Sequence, residues 1–281
     1  MLFMVKTGRD ANLPYSLSRW TDVPAAKWLW FQAQLTQGWM TAFAQNEYLP
    51  DRWSLKPKDV LGLVFWTRDP TNLVRDRQML RPYDVRIHMT LTGWEEVEKG
   101  APTLDQGVEL LRQVVQAFGV DRVRWRFSPI PLLPDEVVVD RFMKIATAAA
   151  GMGIHSSVLS FLQTNDRMAE TRGTEAKVAL LTKLAQAAAD VGVAVGLCNE
   201  DRTLVGATSV ANLASVVCAP PDDFSLPDRP RASSEGCGCV LMVDPFTINE
   251  SCVFGCSYCY AADQELSGKK RNTTRSLPVL R

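Results

Sequence analysis

Three cysteines, Cys252, Cys256 and Cys259, stand at C-x3-C-x2-C spacing in the run SCVFGCSYCYA. Three thiolates on one tight loop can hold three irons of a four-iron cluster, leaving the fourth iron without a protein ligand. That open iron can take the amino and carboxylate groups of a small molecule. Zinc is the competing reading, since it wants four closed ligands and Cys237 or Cys239 can supply the fourth. Five of the seven cysteines fall between positions 237 and 259, which argues against a scatter of ordinary buried thiols. With the triplet set aside, Cys198, Cys218, Cys237 and Cys239 remain. Four is the count for an auxiliary iron–sulfur cluster. The plainer alternative makes Cys218 a small buried apolar residue and the Cys237–Cys239 pair a structural turn.

The remaining composition narrows the chemistry. His88 and His155 are the only histidines, which rules out a His-rich zinc site and leaves little for imidazole acid–base work. Lysine plus arginine number 31 and aspartate plus glutamate 31, so no broad surface attracts nucleic acid and any such contact must be local. A chain of 281 residues that is 46% hydrophobic can build one large domain or two modest ones. No run of about 18 apolar residues occurs and the first residues are too short for a secretory core, so no membrane partner is expected. The expected setting is a reducing cytoplasm, where clustered cysteines are more often metal or redox residues than bridges.

Stepping along the chain, short β-rich runs alternate with helical periodicity. Strands are predicted at Tyr15–Ser18, Val60–Trp66, Val85–Leu91, Val120–Phe127, His155–Phe161, Val193–Leu197 and Cys239–Val243. Leu104, Val108, Leu111, Val115 and Phe118 share a helical face that opens on a Thr103–Gln106 capping box and stops at Gly119. Val138, Phe142, Ile145 and Ala149 form a second face, and Val178, Leu181, Ala185 and Ala188 a third. The alternation predicts parallel βα units, better suited to a full or partial barrel than to a small open sheet, with the site at the strands' C-terminal ends. Residues 1–267 read as one domain, with a long proline-containing loop at 219–236. Residues 268–281, with five basic residues and no acidic one, read as a frayed tail or a phosphate-contacting arm.

The C-x3-C-x2-C triplet, with aromatic Tyr258 before its last cysteine, resembles the signature of radical S-adenosylmethionine (SAM) enzymes. That superfamily carries the loop after the first strand of a partial (β/α) TIM-like barrel, so its C-terminal place here resembles a circular permutation. The segments SRWTDVP (18–24), VFWTRDP (64–70), TLTG (90–93), WRFSPI (125–130) and Cys237–Ala261 resemble one such permuted branch of bacterial and phage proteins over nearly the whole chain. One departure is Ser128, where bacterial members carry an aspartate before the proline; a pocket carboxylate is then absent.

The resemblance implies a 4Fe-4S cluster on Cys252, Cys256 and Cys259 that binds SAM and, once reduced by a donor such as flavodoxin or ferredoxin, cleaves it to a 5′-deoxyadenosyl radical. It implies that Tyr258 contacts the adenine. The usual G-G-E-P run is missing, and Thr90, Thr92 and Glu200 are candidates for SAM by position. Phage members of the branch are associated with thymidine hypermodification, in which an N-linked glycyl-thymidine is isomerised to the C-linked form. The implied substrate is then a modified thymine in DNA, in the host cytoplasm for a phage-encoded enzyme, with Trp66, Trp94 and Trp125 as stacking surfaces for an extruded base. A radical enzyme acting on a small metabolite or peptide, and a zinc-stabilised binding module, are the alternatives.

Overall fold

Successive side chains of a strand point to opposite faces, so each strand here sorts its residues between two environments. In β5 (Val85–Thr90), Val85, Ile87 and Met89 enter one large apolar core, while Arg86, His88 and Thr90 take the other face. The computed structural model describes residues 5–17, 21–44, 51–162, 172–198, 204, 217–226, 239–245 and 252–259.

Its strands are β1 (Tyr15–Leu17), β2 (Trp39–Ala44), β3 (Asp51–Ser54), β4 (Leu63–Thr67), β5, β6 (Val123–Ile130), β7 (Ser156–Phe161), β8 (Ala194–Leu197) and β9 (Val243–Pro245). They form one nine-stranded sheet in the order β3-β2-β9-β1-β4-β5-β6-β7-β8. The seven strands from β9 to β8 are parallel, and β2 runs antiparallel to both of its neighbours. From β1 to β8 the parallel strands follow chain order. β9, the last in sequence, pairs beside β1 through Tyr15 and Val243. β9 and β1 therefore lie side by side and point the same way.

Three long helices, α5 (Leu104–Phe118), α6 (Asp135–Gly151) and α7 (Thr174–Asp190), follow the shorter α1 (Gly8–Ala11), α2 (Val23–Ala26), α3 (Trp28–Gln37) and α4 (Thr71–Arg75). The Thr103–Gln106 capping box opens α5 as expected. Phe142 of α6 stacks on Trp125 at 5.3 Å between ring centroids and meets Phe127 edge-on at 5.2 Å. On α7 the buried stripe is Leu180, Leu181, Leu184, Ala185 and Ala188, broader than the expected face, while Val178 is only half-buried.

Several expectations are corrected. Val120–Arg122 is a 3-10 turn, and β6 begins only at Val123. Residues 239–242 do not join the sheet as a strand; the Val240 amide instead donates to Ala219 at 3.0 Å. The hairpin β2–β3 was not expected, because WMTAFA offers no clean alternation and no two-residue turn follows it. Trp94 and Trp125 are fully buried in the helix-side core, their indole N–H groups bonded to Pro129 and Leu91 carbonyls, so neither is a stacking surface for a base. The first part of the expected loop at 219–236 is instead a plug against the inner face. Its 3-10 turn Pro221–Phe224 buries Phe224, and Arg124 clasps Asp223 with two bonds of 2.9 Å. The rest of that loop and the 268–281 tail lie outside the described residues. No helix among the described residues is long and apolar enough to cross a membrane.

Candidate functional site

The cysteine loop rests on the C-terminal ends of the parallel strands, held chiefly by the segment that follows β5. The Ser257 amide donates to the Val97 carbonyl at 2.9 Å, and the Gly100 amide donates to the Phe254 carbonyl at 2.9 Å. Gly100 has to be glycine: a Cβ there would lie 2.8 Å from the Val253 oxygen and 3.0 Å from the Phe254 Cα. Within the loop, Gly255 takes φ +56°, a left-handed turn that a side chain would strain. Phe254, Cys256 and Tyr258 pack with Leu162 into a small apolar cluster of their own, flanked by Ala25, Val97 and Ala101.

A charged network lies beneath it. The Arg68 guanidinium donates to Glu98 at 2.8 Å, to the Tyr258 hydroxyl at 2.9 Å and to the Thr92 hydroxyl at 3.3 Å. Thr92 donates to Glu98 at 2.8 Å, and the Tyr258 hydroxyl also bonds Glu98. Asp22 completes the frame: its carboxylate accepts from the Arg68 amide at 2.6 Å, the Ala25 amide at 2.9 Å and the Thr67 hydroxyl at 2.9 Å. Burial raises Asp22 to about 6 against those three bonds. An ion pair as enclosed as Arg68–Glu98, with side chains 13% and 2% exposed, holds only when its remaining donors and acceptors are also matched. Tyr258 and Thr92 provide that matching.

The three thiols sit close enough to feel one another: Cys259 acts on both Cys252 and Cys256. Burial pushes the Cys256 thiol up to about 11, with Arg68 pulling the other way, and burial raises Cys252 as well. None of the three is in a disulfide. The donor set fits a four-iron cluster. Three soft thiol donors on one loop are what such a cluster takes, one iron to each thiolate.

The other candidates separate. Thr92 is buried within the Arg68–Glu98 network, while Thr90 stands half-buried on the inner face, in register with Arg126. Glu200 and Cys237 lie outside the described residues. Cys198, Cys218 and Cys239 come together on the inner face. There the Arg126 guanidinium donates to Cys218 at 2.7 Å and lies 5.0 Å over the Trp66 ring. Hydrogen bonds from Cys198 and Cys239, with Arg126 beside them, hold Cys218 well below the usual thiol range; Cys198 is correspondingly raised. Ser128 and Ser160 hydrogen-bond each other across β6 and β7 on the same face.

Sequence reasoning missed Glu98. In GWEEVEKG it reads as one of several solvated charges, and only the fold places it under the cysteine loop. Arg68 is marked in the sequence only as a residue just past a strand.

Residues 15–261 match the family described as domain of unknown function (DUF1848), and the chain belongs to that family. No curated protein matches the chain.

Proposed function

For this member of the DUF1848 family we propose radical SAM chemistry. Cys252, Cys256 and Cys259 would hold a 4Fe-4S cluster, with SAM on its open iron, at the mouth of a permuted partial (β/α) barrel. When bound and reduced by a flavodoxin- or ferredoxin-like donor, the cluster and SAM supply a 5′-deoxyadenosyl radical that removes a hydrogen atom from an unactivated C–H bond. The observation that carries the reading is the seating of three thiols, on one loop, over the C-terminal ends of β1, β4 and β5, next to a polar inner face.

The chain's own residues have three tasks in this reading. Arg68, Glu98 and Thr92 fix the loop through Tyr258. Because the Tyr258 hydroxyl is committed to Glu98 and Arg68, the residue offers an adenine its ring and backbone rather than its hydroxyl. Thr90, half-buried and free of that network, is the better placed of the two threonines to meet a ligand. Phe254 and Leu162 keep water from the loop's inner side.

The reaction we favour is isomerisation of an N-linked glycyl-thymidine to its C-linked form. Hydrogen abstraction at a glycyl α-carbon suits it, because the radical is stabilised by both amine and carboxylate. The Thr90, Ser128 and Ser160 hydroxyls and the half-buried Trp66 support a polar, partly aromatic substrate. The test is to reconstitute the protein without oxygen, add dithionite, SAM and DNA carrying glycyl-modified thymine, and digest to nucleosides. The expected outcome is 5′-deoxyadenosine together with a shifted modified nucleoside. An unchanged nucleoside profile with SAM cleavage intact would move the substrate to a small metabolite or peptide. A colourless protein with stoichiometric zinc would end the radical reading.

A further inference from the structure

Cys198, Cys218 and Cys239 belong to three separate stretches: the residue after β8, the run entering the Phe224 plug, and the approach to β9. They meet on the inner face of the sheet, packed among Val64, Val158, Phe224 and Met242. Cys218 is 2% exposed and takes hydrogen bonds from both other thiols. Cys198 is half-buried and is the member of the trio most open to solvent.

Arg126 supplies a second, independent observation. It is only 9% exposed, yet among the described residues no carboxylate bonds its guanidinium, which donates instead to Cys218 at 2.7 Å. A cation so enclosed is costly unless an anion faces it. The groups around it offer no other counterion: burial keeps the His88 ring neutral, and Asp223 is taken by Arg124. The Cys218 sulfur is thus held as a thiolate, the form of cysteine that oxidants attack.

We propose that this spot is a redox lock: hydrogen peroxide oxidises Cys218, and Cys198 closes on it as a disulfide that ties the Phe224 plug to the end of β8. A bond between two sulfurs already in contact needs no cavity and adds no atoms. The Cys218 thiolate attacks one peroxide oxygen, the O–O bond breaks, and the hydroxide released takes the Cys198 proton to become water. The Cys198 thiolate then attacks the Cys218 sulfenic sulfur, the S–S bond forms, and hydroxide leaves. Two electrons pass from the two sulfurs to the peroxide, and a dithiol reductant reverses the change. The inference does not depend on radical chemistry at the Cys252–Cys259 loop.

The test exposes the reduced, full-length wild-type chain to a few equivalents of hydrogen peroxide, then denatures it in iodoacetamide. Trypsin leaves Cys198 on residues 184–202 and Cys218 on residues 203–231, each with no other cysteine. Mass spectrometry should find these two peptides joined with the loss of two hydrogens, and parted again by dithiothreitol. The oxidised chain should unfold at higher urea than the reduced one, because the plug is then tied to the sheet. Arg126→Met should slow the joining about tenfold, since it removes the cation that holds the thiolate. Cys198→Ser should leave Cys218 as a sulfenic acid that dimedone traps, and this result decides independently should Arg126→Met fail to fold. Two separately alkylated peptides after peroxide, or Cys218 joined instead to residues 232–269, overturn the inference. Oxidised and reduced chains that unfold at the same urea concentration overturn it as well. Both peptides exclude the loop cysteines, so failure of the loop reading leaves this outcome unchanged.

Discussion

The parallel sheet turns Leu63, Phe65, Ile87, Met89, Trp125, Phe127 and Leu159 toward its helices, and Ser16, Trp66, His88, Thr90, Arg126, Ser128 and Cys198 away from them. The same strands supply both sets, one residue apart. Parallel sheets are ordinarily apolar on both faces, because both are covered. Here the helix side obeys that rule and the inner side breaks it with buried Arg126 and His88, whose desolvation costs stability that packing alone does not offset. The contrast teaches that the helix side specifies the fold, while the inner side and its mouth carry the polar groups on which the proposed chemistry rests.

Substitutions on the two sides should therefore separate in what they disturb. Cys256→Ala, at the mouth, should abolish SAM cleavage and strip the loop's iron while the chain stays folded by circular dichroism. Arg68→Ala should lower stability by about 3–5 kcal/mol, since it leaves Glu98 buried without its cation, and should reduce loop iron as well. The paired change Arg68→Met with Glu98→Leu should recover most of the stability but not the cleavage, which distinguishes positioning from packing. Phe142→Ala, on the helix side, should cost about 3–5 kcal/mol in urea unfolding while iron per folded chain stays at the wild-type level. Loss of iron in that variant would break the separation. Thr103→Ala, which removes the α5 capping box, should cost about 1 kcal/mol and leave iron per folded chain unchanged.

The two thiol groups also show what a linear reading can reach. Cys252, Cys256 and Cys259 are legible because their ligand geometry is local: one turn of chain sets the spacing. The parallel βα architecture is legible because periods of 2 and 3.6 are local as well. Cys198, Cys218 and Cys239 could be counted but not grouped, since their meeting depends on where the Phe224 plug docks and on β9 inserting beside β1. Glu98 was hidden for the same reason, its partners Arg68 and Tyr258 lying 30 and 160 positions away. Trp94 and Trp125 misled because an aromatic residue carries no mark of the face it will take. A one-residue shift of register would have put Trp125 on the inner side and Arg126 among the helices.

The most direct measurement concerns the loop at the mouth. The wild-type chain, loaded with iron and sulfide without oxygen and then given dithionite and SAM, should release 5′-deoxyadenosine, and the Cys256→Ala variant should release none. A wild-type protein that binds zinc stoichiometrically, or that carries its iron yet leaves SAM intact, would contradict the account.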